Sequence, residues 1–172
     1  MSGALSPRSG GWAETLERLA RKVPGVGRYQ DREGLRETDQ RVRALLAQEL
    51  TGVSRVLEGA AQQLTDAKRL EPLPALDRVS RRLMTLADRI RLARYGFAGV
   101  FDLQKIREAE LTALHQFDLT MLEQIPPLHE AAERLAGAAG QGEPAGALGV
   151  AEERVGRMEA LLEARDRLAR GL

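Results

Sequence analysis

At 172 residues, with 43% apolar and 30% charged residues, the chain is long enough for one domain with a real core and lies well outside the disordered class. A formal net charge of +1 gives no global reason to expect nucleic acid or an anionic membrane, and the lack of cysteine excludes disulfides, thiolate metal sites and cysteine nucleophiles. Aromatic residues make up only 3%, and the apolar content is mostly Leu, Ala and Val, a mix that favours helix over sheet.

Residues 1–11, rich in Gly and Ser, lack periodicity and are expected to form a disordered tail. They hold no apolar signal-like core, and no stretch reaches membrane-spanning length, so the chain reads as cytoplasmic. A first helix starts at Trp12, with Leu16, Leu19, Ala20 and Val23 at helical spacing, and Pro24-Gly25 ends it. Arg18, Arg21 and Lys22 lie opposite that face, which makes Trp12, Leu16 and Leu19 candidate contacts to a membrane surface or a partner. Glu14 and Glu17 dilute the membrane reading, and capping the next helix explains the same pattern.

A long spine follows over 31–70, carrying Leu35, Val42, Leu46, Val53, Leu57, Ala60 and Leu64 at a helical period without a clean heptad series. Pro72 and Pro74 break it, and a second helix is expected over 75–95. The segment Arg94-Tyr95-Gly96-Phe97-Ala98-Gly99-Val100-Phe101 then supplies glycines for a tight corner and aromatics to seal it. Tyr95, Gly96, Phe97, Gly99 and Phe101 are therefore assigned as structural corner residues.

A third helix starts near Asp102 and is expected to end at Pro126-Pro127. A short helix to Ala136, a Gly/Ala/Pro linker over 137–149 and a last helix over 150–172, packing on the bundle or on a partner, complete the chain. The sum is an all-α, elongated antiparallel helical bundle with its core over 12–136. Three long central helices neighbour one another in sequence order, with short N-terminal and C-terminal helices at the two ends.

Pro24-Gly25-Val26-Gly27-Arg28-Tyr29 and the corner from Arg94 to Asp102 together resemble an uncharacterised family of bacterial helical-bundle proteins over about residues 24–125. The resemblance implies the helical fold and carries no activity or binding residue with it.

Several charges sit where a helical wheel places apolar residues: Asp39 and Glu49 on the spine, Arg94 at the edge of the second stripe, and Glu110 on the third helix. Folding the chain at its two corners brings Glu49, Arg94 and Glu110 to one level, so an inner ionic cluster of these three is expected. Such a cluster either pairs off and sets helix register, or forms a small polar pocket for an anionic ligand.

His115 and His129 lack the Glu-x-x-His pattern of di-iron bundles and read as surface residues, and the glycines after Pro24 lack a Walker loop's Gly-Lys-Ser/Thr ending. No metal or cofactor is expected. Arg78, Arg81, Arg82, Arg89 and Arg91 could meet nucleic acid or anionic lipid, but acidic neighbours and the lack of a stacking platform favour a salt-bridged face without nucleic acid.

These features point to a non-enzymatic interaction or scaffold protein acting through helix-helix contacts with a protein partner or a second copy. A peripheral membrane protein using the Trp12 helix and the arginine-rich helix is one alternative. An enzyme or sensor for a small anion, built on Glu49, Arg94 and Glu110, is the other.

Overall fold

The computed structural model describes residues 12–25, 32–92, 108–141 and 144–169. These form five helices, α1 Trp12–Lys22, α2 Arg32–Asp66, α3 Leu73–Leu92, α4 Glu108–Gln141 and α5 Pro144–Ala169, with no strand among the described residues. Tyr95 to Phe101, the expected corner, lies outside them, as do the side chains of Trp12 and Leu16.

Each long helix buries a seam whose members alternate in steps of three and four, and α4, which also meets α1, buries Phe117, Leu119, Leu122 and Ala131 beside it. On α3 the seam is Leu76, Val79, Leu83, Leu86 and Ile90, and on α2 it runs from Leu46 through Leu50, Val53, Leu57 and Ala60 to Leu64. On α4 it runs from Leu114 through Asp118, Met121, Ile125, Leu128, Ala132 and Leu135 to Ala139, and on α5 from Ala151 through Val155, Met158, Leu162 and Arg165 to Ala169. Steps averaging 3.5 residues are the coiled-coil spacing, which lets helices pack nearly in line. The spine keeps this spacing from Leu46 onward, but Val42, Leu46 and Leu50 are separated by two successive steps of four, so no single heptad series spans α2, as the sequence suggests.

α2 and α3 form one hairpin and α4 and α5 another; α2 then lies against α4, and α3 more lightly against α5. The order around the bundle is therefore α2, α3, α5, α4, which puts α2 diagonal to α5 and α3 diagonal to α4. α2 and α4 run parallel: Asp39 shares a guanidinium with Asp118, Glu49 meets His129, and Arg69 reaches the carbonyl of Ala139. The expected order of neighbours fails here, because the third long helix packs on the spine and not on the helix before it.

Four helices, not three, make the bundle, and α5 is a full 26-residue member of it. α1 lies along α4, where Leu19 and Val23 are buried and Arg18 meets Glu123 at 2.5 Å. Leu19, expected at a membrane or partner surface, is fully buried within this chain.

α4 continues through Pro126 and Pro127 as one helix of 34 residues, against the expected break. A proline inside a helix costs about 3 kcal/mol. Against that, Met121, Leu122, Ile125, Leu128 and Leu135 are buried on both sides of the pair, each large side chain contributing about 1.5–3 kcal/mol. Pro126 itself is exposed, so its ring displaces nothing in the core. Helix also occupies most of the expected linker: α4 extends to Gln141 and α5 starts at Pro144, with Ala139 and Pro144 buried.

Two ends depend on left-handed backbone. After α1, Gly25 has φ +85°, and the guanidinium of Arg41 lies where a Cβ would stand, its Nη1 donating to the Pro24 carbonyl at 3.2 Å. α2 ends four residues earlier than expected, at Asp66. Lys68 takes φ 57°, its N–H donates to Thr65 O, and the N–H of Arg69 donates to Leu64 O at 2.8 Å. The prolines begin α3 instead of ending α2: Pro74 sits in its first turn, where a missing N–H costs nothing.

Candidate functional site

The charged centre of the bundle is built from three helices at one level. On α2, Asp39 and Arg43 stand one turn apart; on α4, His115 and Asp118 do the same; on the diagonal helix α5, Arg165 takes a seam position that would otherwise be apolar. Asp118 is fully buried, and His115, Asp39 and Arg165 nearly so.

The Arg165 guanidinium donates from Nε to Asp118 Oδ1 at 2.5 Å and from Nη2 to Asp39 Oδ1 at 2.6 Å. The other oxygen of Asp39 accepts from Arg43, at 2.8 Å from Nε and 2.7 Å from Nη2. His115 Nδ1 lies 3.6 Å from Asp118 Oδ2. Two carboxylates and two guanidiniums thus close on one another in a neutral group, with an imidazole at its edge.

Burial alone would lower the pKa of Arg165, and this is the largest single influence on it. The charges and hydrogen bonds of Asp118 and Asp39 together outweigh burial, so the guanidinium stays charged. Burial also pushes the His115 imidazole below its ordinary value, and Arg165 adds to the effect. Asp118 and Asp39 oppose it without reversing it.

The expected cluster is not the one found. Glu49 is half-exposed and faces His129, whose Nε2 is 3.6 Å away; the ring also lies beside Gly52. His129 stands 19 positions beyond Glu110 on α4, about 28 Å of helix, so Glu49 and Glu110 do not share a level. Arg94 and the side chain of Glu110 lie outside the described residues. His115, expected at the surface, is buried.

Of the wheel-derived outliers, Asp39 belongs to the observed centre. Asp118 and Arg165 carried a signal that inspection of single residues missed: both fall in the three-and-four series of their helices, between Leu114 and Met121 and between Leu162 and Ala169.

A second set of charges laces α3 to α5. Arg78 meets Glu152 at 3.0 Å, Arg82 meets Glu159 through two parallel bonds of 3.0 and 2.7 Å, and Arg89 meets Asp166 at 3.4 Å. The acidic partners recur every seven residues, the heptad spacing of the seam beside them. The bonds from Glu159 raise the Arg82 pKa against a smaller effect of burial. The arginine-rich face is thus largely salt-bridged, since Arg81 and Arg91 also pair, with Asp77 and Asp88 of their own helix.

At the far end of the bundle, an open cleft of about 780 Å³ lies between the α2–α3 turn and the start of α5, lined by Lys68, Arg69, Leu70, Pro72, Pro144 and Leu148 among others. Among the described residues no group of three or more His, Asp or Glu is placed to hold a metal ion, and no helix is long and apolar enough to cross a membrane. Compared with family models, curated proteins and solved structures, the chain matches none.

Proposed function

We propose that this protein is a non-enzymatic helical-bundle interaction protein that presents its α3–α5 side to another protein or to a second copy of itself. The observation that carries this reading is the distribution of exposed apolar side chains. Leu70, Met84, Leu92 and Val150, the exposed large hydrophobics among the described residues, all lie on α3, on the turn leading into it, or on α5. α3 and α5 are also laced by the pairs Arg78–Glu152, Arg82–Glu159 and Arg89–Asp166, so a partner helix laid along them would meet charges of each sign as well as apolar anchors.

The inner charges support the same reading. Arg165 is held by Asp118 and Asp39, which leaves its guanidinium committed to the fold and not to an anionic ligand. The membrane alternative draws little from α3, because Arg78, Arg81, Arg82, Arg89 and Arg91 each have an acidic partner.

Light scattering across a wide concentration range, combined with photo-crosslinking residues at positions 84, 92 and 62, tests the proposal. Adducts or dimers are expected from 84 and 92, and none from Gln62 on α2. A strict monomer that crosslinks to nothing from 84 or 92 overturns it.

A further inference from the structure

We propose that the outward face of α3 is a two-fold contact between copies of this chain, with α3 of a second copy lying antiparallel across Met84; this rests on the reading that the α3–α5 side is an interaction surface. Away from its buried seam, α3 carries a second stripe at alternating steps of four and three: Asp77, Arg81, Met84, Asp88 and Arg91, all exposed. At 100° per residue these five fall within about 80° of the helix circumference. Met84, one of the exposed large hydrophobics among the described residues, stands at the middle of the stripe.

The order of charges along the stripe selects both the occupant and its direction. Read toward the C-terminus it is acid, base, Met, acid, base. A copy laid antiparallel about an axis at Met84 meets each residue with one equally far on the other side. Asp77 then faces Arg91 of the second copy, each about 10.5 Å from the axis along its helix. Arg81 faces Asp88, their heights differing by about 1.5 Å, well within the reach of an arginine. A parallel copy in register would set Asp on Asp and Arg on Arg, which repulsion disfavours.

The pairs within the helix do not forbid this arrangement. Arg81 donates to Asp77, and Arg91 to Asp88 at 3.4 Å, and all four side chains are more than half exposed. Solvated pairs of this kind hold their members weakly, so each group can turn to, or share, an opposite charge on the second copy. At the axis two Met84 side chains leave water together, and an unbranched thioether adapts readily to its neighbour. A single helix pair about 30 Å long makes a small interface, so the dimer is expected to be weak and to weaken further with salt.

The chain has no cysteine, so introduced cysteines report the register directly. Met84→Cys should give a covalent dimer on mild oxidation, and Gln62→Cys on α2 should not. Asp77→Cys mixed with Arg91→Cys should link one to the other through a short bis-maleimide. Each alone should link poorly, since two copies of one such position lie about 21 Å apart. Light scattering then reads the charges: Arg81→Asp should weaken dimerisation about tenfold, because it sets a carboxylate against Asp88 twice per dimer. Adding Asp88→Arg should restore it. The double exchange leaves like charges adjacent within each helix, at 77 with 81 and at 88 with 91, so recovery can come only from pairing between copies. All these positions are exposed, so the core is untouched.

A strict monomer up to about 1 mM protein, no recovery in the double exchange, or linking of 77 to 77 in preference to 77 to 91 would each overturn the proposal. A dimer that links through Val150→Cys and not through Met84→Cys also overturns it, while leaving the α3–α5 side as the interaction surface. A monomer that in addition captures nothing from positions 84 or 92 removes that reading too.

Discussion

Arg165 of α5 donates to Asp39 of α2 at 2.6 Å across the diagonal of the bundle, joining residues 126 positions apart on helices that do not otherwise pack together. The same guanidinium holds Asp118 of α4, so one side chain ties three helices at one level.

Breaking this tie from one side should be far worse than removing it whole. Arg165→Met leaves the fully buried Asp118 carboxylate without its guanidinium, and a loss of about 3–5 kcal/mol is expected. The double variant Arg165→Met with Asp118→Leu removes both members, leaves Asp39 with Arg43, and should recover most of that loss. Urea unfolding of the two variants gives the comparison; equal losses would refute the account.

The ion pairs between α3 and α5 are half-exposed and should contribute little each. Arg82→Ala, which removes the two-bond pair with Glu159, is expected to cost about 0.5–1 kcal/mol at low salt and less in high salt. Arg78→Ala, whose pair is more exposed, should cost less than Arg82→Ala. Chemical denaturation in urea at two salt concentrations checks the order.

Within α4, Pro126 and Pro127 deprive the helix of two backbone donors while it continues without interruption. Pro126→Ala should stabilise the bundle, by at most about 3 kcal/mol, because position 126 is exposed and an alanine adds a hydrogen bond without disturbing the core. A lower melting temperature for this variant would show that the proline's shape is needed where it stands.

Lys68 holds a left-handed conformation that glycine adopts at no steric cost. Lys68→Gly should raise stability by about 0.5–1 kcal/mol, measured as a shift in the urea midpoint at unchanged slope. A decrease would mean that the lysine side chain contributes more to the end of α2 than its backbone angle costs.

The helices themselves were legible in the sequence, because Leu83, Leu86 and Ile90, or Val155, Met158 and Leu162, declare a helical period without help from the rest of the chain. Which helix packs on which was not. Sequence order suggested that α4 would neighbour α3, whereas the seam from Met121 to Ala139 finds its complement on α2, and that choice depends on side-chain fit between elements far apart in the chain.

The charged centre was half legible for the same reason. Asp39 stood out on its own helix, but pairing it with Arg165 required knowing the diagonal. The level assigned to Glu49 and Glu110 inherited the wrong neighbour. Pro126-Pro127 suggests a break because its local penalty is visible in the sequence and the apolar contacts that outweigh it are not; those contacts exist only once α2 and α5 are in place.

α2 and α4 run parallel because each opens its own hairpin of the bundle. Residues 12–92 and 108–169 each form a hairpin-bearing half of the bundle, joined covalently only through 93–107, while the interface between them is carried by α2 on α4, α3 on α5, α1 on α4 and the Arg165 bonds. Cut within that stretch, the gene would encode two complementary fragments, each with an apolar seam to hide. The intact protein is in this sense a heterodimer that has been tethered.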